Sequence, residues 1–347
     1  MDFDALEKSL SALGLRHPRR IVDGWQSLAV YEAVVDGRPV AVKVVDPRLV
    51  DRAALEVRVA ALTRLAADGE WVCGPVPVAG RLVNDLPMAT AVTNGASWTS
   101  EAYSANAANG TNGTRGANGA NSTVDSGAGR PLVAVAYDFA AGEAPDINRP
   151  DVATGMGRAL ADLHGVMARL PAYVLPGLAA FPPLSKLEKV AADLRVPIFW
   201  LSEALPDHEA GPCQLLHGDF SSKNIRLSGH GWRVFDFDDC GYGSVELDLA
   251  NSVYFVLFDA TLRQDLDRYH RFRDRFVDGY RERAGSAPTD VRMDALLTRR
   301  VLTLASWLAD PARAPSGIRT ASAEWLATLR HFIRRYLGAL EASGAIG

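Results

Sequence analysis

Cysteine is scarce in this chain: Cys73, Cys213 and Cys240 are the only three, spread over 347 residues without a CxxC pair. That excludes a disulfide framework and a cysteine-built zinc site, and it fits a reducing compartment. Positive charge is also too thin for a nucleic-acid binder. The 37 Lys and Arg are outnumbered by 41 Asp and Glu, leaving a formal charge of -4, whereas affinity for a phosphate backbone needs dense basic residues. Long hydrophobic runs are missing too: the most apolar stretches, such as Leu247–Phe258, fall short of the about 20 residues that cross a bilayer. The opening residues, MDFDALEKSL, are acidic and amphipathic, unlike the basic start and apolar run of a secretory leader. A cytoplasmic protein is expected, with no nucleic-acid or membrane partner and no obligatory protein partner evident.

What is present is ordinary globular material, 48% hydrophobic and 22% charged, long enough for two domains. Residues 30–45, VYEAVVDGRPVAVKVV, are two valine-rich runs on either side of Asp36-Gly37, which predicts a β-hairpin. Leu55, Val59, Leu62 and Ala66 then recur at helical spacing behind Asp51, predicting a helix over 51–67. The apolar run 130–139, RPLVAVAYDF, reads as another strand. Before it, residues 93–129 are almost wholly Ala, Asn, Gly, Ser and Thr, a composition that buries too little apolar surface to offset its ordering entropy. This segment reads as a mobile insertion, with a lid over substrate as the alternative. The acceptor-like triplets at Asn109, Asn112 and Asn121 follow from that composition.

Beyond Gly142 helical patterning dominates, through Met156, Leu160, Leu163 and Met167, then 185–205, 245–283, 289–310 and 320–341. The expected domains are a β-rich half over 1–139 and a helical half over 140–347, an α+β layout with two lobes.

The chemistry concentrates in 214–239. His217-Gly218-Asp219 is followed after five residues by Asn224 and, twelve further on, by Asp236. The run IRLSGHGWRVF between them predicts a hairpin that folds Asp236 back toward Asp219 and Asn224. Phosphoryl transfer needs a carboxylate to orient the acceptor hydroxyl and hard oxygen ligands for a divalent cation, and these three residues supply both.

On HGDxxxxN and the Asp236 motif DFDD, the sequence resembles the aminoglycoside phosphotransferase and choline kinase superfamily, over most of its length. The resemblance implies a bilobal, protein-kinase-like α+β fold, with a small β-rich N-lobe, a larger, mostly helical C-lobe, and a Mg2+-dependent kinase activity. It makes Asp219 the catalytic base and gives Asn224 and Asp236 the metal. Val40-Ala41-Val42-Lys43 resembles the strand whose lysine grips nucleotide phosphates, and Glu56 resembles its helical ion-pair partner. Gly24 and Ser27 stand where the family's phosphate-covering hairpin lies, although GxGxxG is absent. Tyr137 and Phe139 lie in the strand that leads to the hinge, whose backbone would bond an adenine or guanine edge. Asp248 resembles the aspartate that braces the catalytic loop. The donor is ATP or GTP, and the acceptor is a small-molecule hydroxyl on an antibiotic or a sugar- or aminoalcohol-like metabolite; with an antibiotic the outcome would be resistance. A bacterial Ser/Thr protein kinase and a nucleotide-binding pseudokinase are the alternatives.

Other residues carry less. His164 and the tryptophans Trp200, Trp307 and Trp325 read as core or pocket wall. Lys223 stands where it meets either phosphate or solvent. Asp259, Asp310 and Glu324 would suit a cationic acceptor, yet acids on helices are usually solvated faces.

Overall fold

A computed structural model describes residues 3–22, 27–47, 50–86, 131–175, 178, 187–194, 213–285, 290–311, 314, 316–319 and 321–342. The predicted insertion over 93–129 lies outside them, as does Gly24. The chain divides into two compact units. One comprises Met1–Val59 with Pro75–Phe139, the other Ala60–Gly74 with Ala140–Gly347.

The first unit is built on an antiparallel sheet. Its strands are β1 (Arg16–Val22), β2 (Ala29–Val35), β3 (Arg38–Val45), β4 (Pro75–Val76), β5 (Asn84–Leu86) and β6 (Leu132–Asp138), running β1-β2-β3-β6-β4, with β5 also on β6. The predicted hairpin is β2–β3, closing with Val35 opposite Arg38. Asp36 (φ +49°) and Gly37 (φ +80°) supply the two positive φ angles that such a turn requires. Period-two burial along β2 sends alternate residues to opposite faces.

The central strand β6 is buried on both faces. Leu132, Ala134 and Ala136 join a core with Val40, Val42 and, from helix α1 (Phe3–Ala12), Leu6 and Leu10. Val133 and Val135 instead pack on Leu55 and Val59 of helix α2 (Arg52–Asp68). Fully burying an aliphatic side chain contributes about 1.5–3 kcal/mol, so this two-sided packing, more than strand propensity, holds β6 and its neighbour β3 in register.

The second unit carries two short sheets and most of the helices. Strands β7 (Cys213–Leu216) and β10 (Gly241–Ser244) pair antiparallel, and β8 (Ile225–Ser228) with β9 (Gly231–Val234) forms the predicted hairpin. Residues 71–73 extend it, since Val234 N donates to Trp71 O and Cys73 N to Val234 O, at 2.9 and 2.8 Å.

The helices are α3 (Pro150–Met167), α4 (Leu187–Leu194), α5 (Val245–Arg263), α6 (Leu266–Ala284), α7 (Asp290–Ala309), α8 (Ser316–Arg319) and α9 (Ala323–Ala342). The pattern read as helical over 245–283 is thus two helices. Gln264, in the left-handed region at φ +60°, stops α5, and the Asp265 side chain caps α6 by accepting from Arg268 N. Helices α3 and α6 approach until only glycine fits. A Cβ on Gly157 would lie 2.0 Å from Phe276 O, and one on Gly279 would lie 2.2 Å from Thr154 O.

Candidate active site

The segment after β7 holds the predicted catalytic motif, and its backbone is tied on every side. Asp248, one turn into α5 and fully buried, accepts from His217 N and Gly218 N at 2.8 Å each and pairs with His164 Nε2 at 3.1 Å. Burial alone would raise its pKa, but the His164 bond and the Gly218 N–H outweigh it, leaving the carboxyl below its ordinary value. His164 Nδ1 meets Tyr280 Oη at 2.9 Å, so this histidine is a satisfied core residue, as read from the sequence.

Gly218 takes φ +86°, and a Cβ there would stand 2.0 Å from the Asp239 carbonyl. Only glycine lets the loop pass the DFDD segment so closely. His217 links the same two segments: its Nδ1 accepts from Asp219 N at 3.2 Å, so Nε2 carries the proton and donates to Phe235 O at 3.1 Å. Phe235 N donates in turn to Asn224 O at 3.1 Å. The β8–β9 hairpin thereby returns Asp236 to the neighbourhood of Asp219 and Asn224, as its sequence predicts.

Asn224 Nδ2 donates to both Asp219 O and Asp219 Oδ2 at 2.9 Å. Asp236 sits in the left-handed region at φ +66°, a conformation a non-glycine residue holds at some cost and one that clusters at functional sites. The Asp219 pKa is raised, chiefly by partial burial; Arg300 opposes this, Asp236 adds to it, and the Asn224 bond lowers it. Asp239, itself exposed, has its pKa raised by its crowded surroundings and by Asp219 and Asp238, with Arg300 opposing and Asp236 reinforcing. This like-charge crowding, beside the amide of Asn224, is a hard-oxygen surrounding that a divalent cation relieves. Among the described residues no three His, Cys, Asp or Glu side chains form a metal cage. The oxygens of Asn224 and Asp236 are hard donors of the kind that Mg2+ takes alongside phosphate and water.

Three contributors were not legible in the sequence. Arg300, on α7, donates from Nη2 to Asp219 Oδ1 at 3.4 Å and stacks 4.5 Å from the Tyr254 ring centroid. Asn251, on α5, donates to Gly218 O at 2.5 Å. Tyr254, pushed up to about 12 by burial despite Arg300, stays a neutral phenol. Lys223, an exposed residue, rests its ammonium 3.7 Å from the Phe255 ring centroid; partial desolvation lowers its pKa, with Asp219 opposing and Arg300 reinforcing. Asp259, offered as an acid for a cationic acceptor, is already bound by Arg263 at 2.8 Å and by Arg268.

The remaining candidates lie in the first unit. Lys43 sits on β3 between Val30 and Val135, its ammonium 5.7 Å from the Tyr137 ring centroid. Glu56 is exposed and accepts from Arg52 Nε at 2.9 Å; Arg52 also bonds Asp85. Ser27 is buried. Tyr137 pairs with Ala41 and Pro75, and Phe139 N donates to Pro39 O at 3.4 Å.

Residues 120–293, which span the whole His217–Asp248 constellation, match the model of the phosphotransferase enzyme family. The chain belongs to this family. Its fold is kinase-like, as solved phosphotransferase structures show. One is an amicoumacin kinase in complex with AMP-PNP, Ca2+ and Ami, 17% identical, covering 97% of this chain and 94% of that one with a TM-score of 0.64. Another is a microcompartment-associated aminopropanol kinase, 17% identical, covering 100% and 99% with a TM-score of 0.63. A third is a thermostable mutant of aminoglycoside phosphotransferase APH(4)-Ia, 14% identical, covering 97% and 99% with a TM-score of 0.52. No curated protein matches by sequence. No helix of the described residues is long and apolar enough to cross a membrane.

Proposed function

We propose that this phosphotransferase moves the γ-phosphate of ATP or GTP to a hydroxyl of a small molecule, an antibiotic or a sugar- or aminoalcohol-like metabolite, in the cytoplasm. The observation that carries the reading is the Asp219 carboxylate, held at one oxygen by Asn224 and crowded by Asp236, inside a matched family span. Solved relatives by fold support the donor and acceptor classes: the amicoumacin kinase was captured with AMP-PNP, and an APH(4)-Ia mutant with ADP and hygromycin B.

Asp219 orients the acceptor hydroxyl in line with the γ-phosphorus and takes its proton as the new O–P bond forms and the bond to the β-phosphate oxygen breaks. Lys43, with Glu56, grips the α- and β-phosphates, Ser27 covers them, and the backbone at Tyr137 and Phe139 receives the base. Asn224 and Asp236 would hold Mg2+. When bound, the cation neutralises charge on the phosphate oxygens. Because the transition state is loose, positioning and charge account for most of the rate, and a strongly perturbed base is unnecessary.

Asp219→Ala tests this directly. Nucleotide affinity should persist while turnover falls by about three orders of magnitude or more; near-normal turnover would overturn the assignment. A thermal-shift panel of nucleotides and hydroxylated antibiotics then finds the acceptor, since a ligand at a hundred times its Kd adds about 2.7 kcal/mol.

A further inference from the structure

Arg300 approaches the same carboxylate that Asn224 holds, from the opposite oxygen. Asn224 occupies Oδ2 of Asp219, and Arg300 Nη2 faces Oδ1. A carboxylate bonded at one oxygen still turns about its Cβ–Cγ bond; bonded at both, it keeps one plane. The guanidinium is itself fixed, since Nη1 donates to Asn251 Oδ1 and its face lies on Tyr254. Asn251 passes the restraint to the backbone through its bond to Gly218 O. One arginine thus reaches Asp219 directly and its preceding residue through a single intermediary.

We propose, resting on the function given above, that Arg300 is a positioning residue that sets the orientation of the Asp219 carboxylate for the acceptor hydroxyl, with Asn251 as its support. The 3.4 Å bond is at the long end, which suits a contact that tightens when substrates bind. Misplacement of a reacting group by about 1 Å costs about 10²-fold in rate. A lysine in the same place would keep the charge but lose the two-pronged geometry that joins Asp219 to Asn251.

The experiment needs no knowledge of the acceptor. Phosphate release from MgATP with water as acceptor, nucleotide Kd and melting temperature are measured for the wild type, R300K, R300Q, D219N and the R300Q/D219N double variant. R300Q should lower kcat about 10–100-fold, with Kd for MgATP and melting temperature nearly unchanged, and R300K should recover part of the loss. In the D219N background R300Q should change the remaining rate by less than about twofold, because two residues acting through one group are non-additive. Wild-type kcat in R300Q, or an equal loss in both backgrounds, would overturn the proposal. Should R300Q melt early, R300K decides: an intermediate kcat supports the positioning role and a wild-type kcat overturns it. A wild-type rate in D219N removes the catalytic reading of Asp219 itself, an outcome separate from failure of the arginine's role.

Discussion

The Asn224 side chain spans Asp219 from backbone to carboxylate, with Nδ2 at 2.9 Å from both the carbonyl oxygen and Oδ2. Its donor end is committed to Asp219, so only its amide oxygen remains to face a cation. Asn224→Ala should therefore do two things at once: lower kcat about 10²-fold by freeing the carboxylate, and raise the Mg2+ concentration at half-maximal rate. A Mg2+ titration of phosphate release on both proteins checks this. An unchanged metal requirement would remove Asn224 from the metal site while leaving its hold on Asp219.

Gly218 is pinned through its N–H by Asp248 and through its carbonyl by Asn251. Alanine there meets both a disfavoured φ and the Asp239 carbonyl, 2.0 Å from the new Cβ. Backbone strain of this kind costs about 1–3 kcal/mol, before the clash is counted. Gly218→Ala should lower the denaturation midpoint measurably and abolish turnover, whereas full stability with full activity would mean that the loop relaxes freely.

The parts of the site that lie close in sequence were the legible ones. His217 to Asp236 is one loop and one hairpin, so the alternating run IRLSGHGWRVF predicted their return to each other. Arg300 and Asn251 stand 81 and 33 residues from their partners Asp219 and Gly218; no local pattern marks an arginine on a helix as one that will meet a half-buried carboxylate. Glu56 shows the converse. Beside the role its resemblance implies, it accepts from Arg52, one turn earlier, a contact that spacing did not single out although i,i+4 neighbours on a helix are within reach. In the fold, valine alternation made β2 and β3 readable. The strand β1, RHPRRIV, carries three arginines and a proline, and it is tolerated because it forms the sheet edge, with register irregularities against β2.

Asp248 has no solvent to fall back on, and its stability contribution depends on its charge. Its carboxyl is held below its ordinary value, so the stabilisation is fully present above the unfolded carboxylate pKa of about 3.9 and is lost as pH falls through the lower folded value. Asp248→Asn, which keeps the shape but sets an amide against two backbone donors, should destabilise the chain by about 2–4 kcal/mol at neutral pH, or about 5–10 °C in Tm. The gap between variant and wild type should narrow below about pH 4. Melting curves across pH 3–7 that stay parallel would show that the charge of Asp248 is not what braces the loop.

Of the three glycines in helix α3, Gly157 and Gly165 are two whose replacements should move stability in opposite directions. Intrinsic preference favours alanine over glycine by about 0.8–1.0 kcal/mol in a helix interior. At Gly165 nothing stands nearer to a new Cβ than Arg169 Nη1 at 4.0 Å, so propensity decides and Gly165→Ala should stabilise by up to about 1 kcal/mol. At Gly157 the same methyl would meet the Phe276 carbonyl at 2.0 Å and Tyr280 N at 2.8 Å, both backbone atoms of α6 that cannot swing aside. Sterics then exceed propensity, and overpacking of this kind costs about 1–3 kcal/mol or more. Because α6 also carries Tyr280, which bonds His164 and through it reaches Asp248, separating the helices at Gly157 should loosen the catalytic loop as well. Chemical denaturation and phosphate release measured on both variants separate these effects: Gly165→Ala should be neutral or stabilising with normal turnover, and Gly157→Ala should lose both. Equal stability of the two variants would mean that α3 and α6 slide apart at no cost, and the close helix contact would no longer explain why glycine occupies position 157.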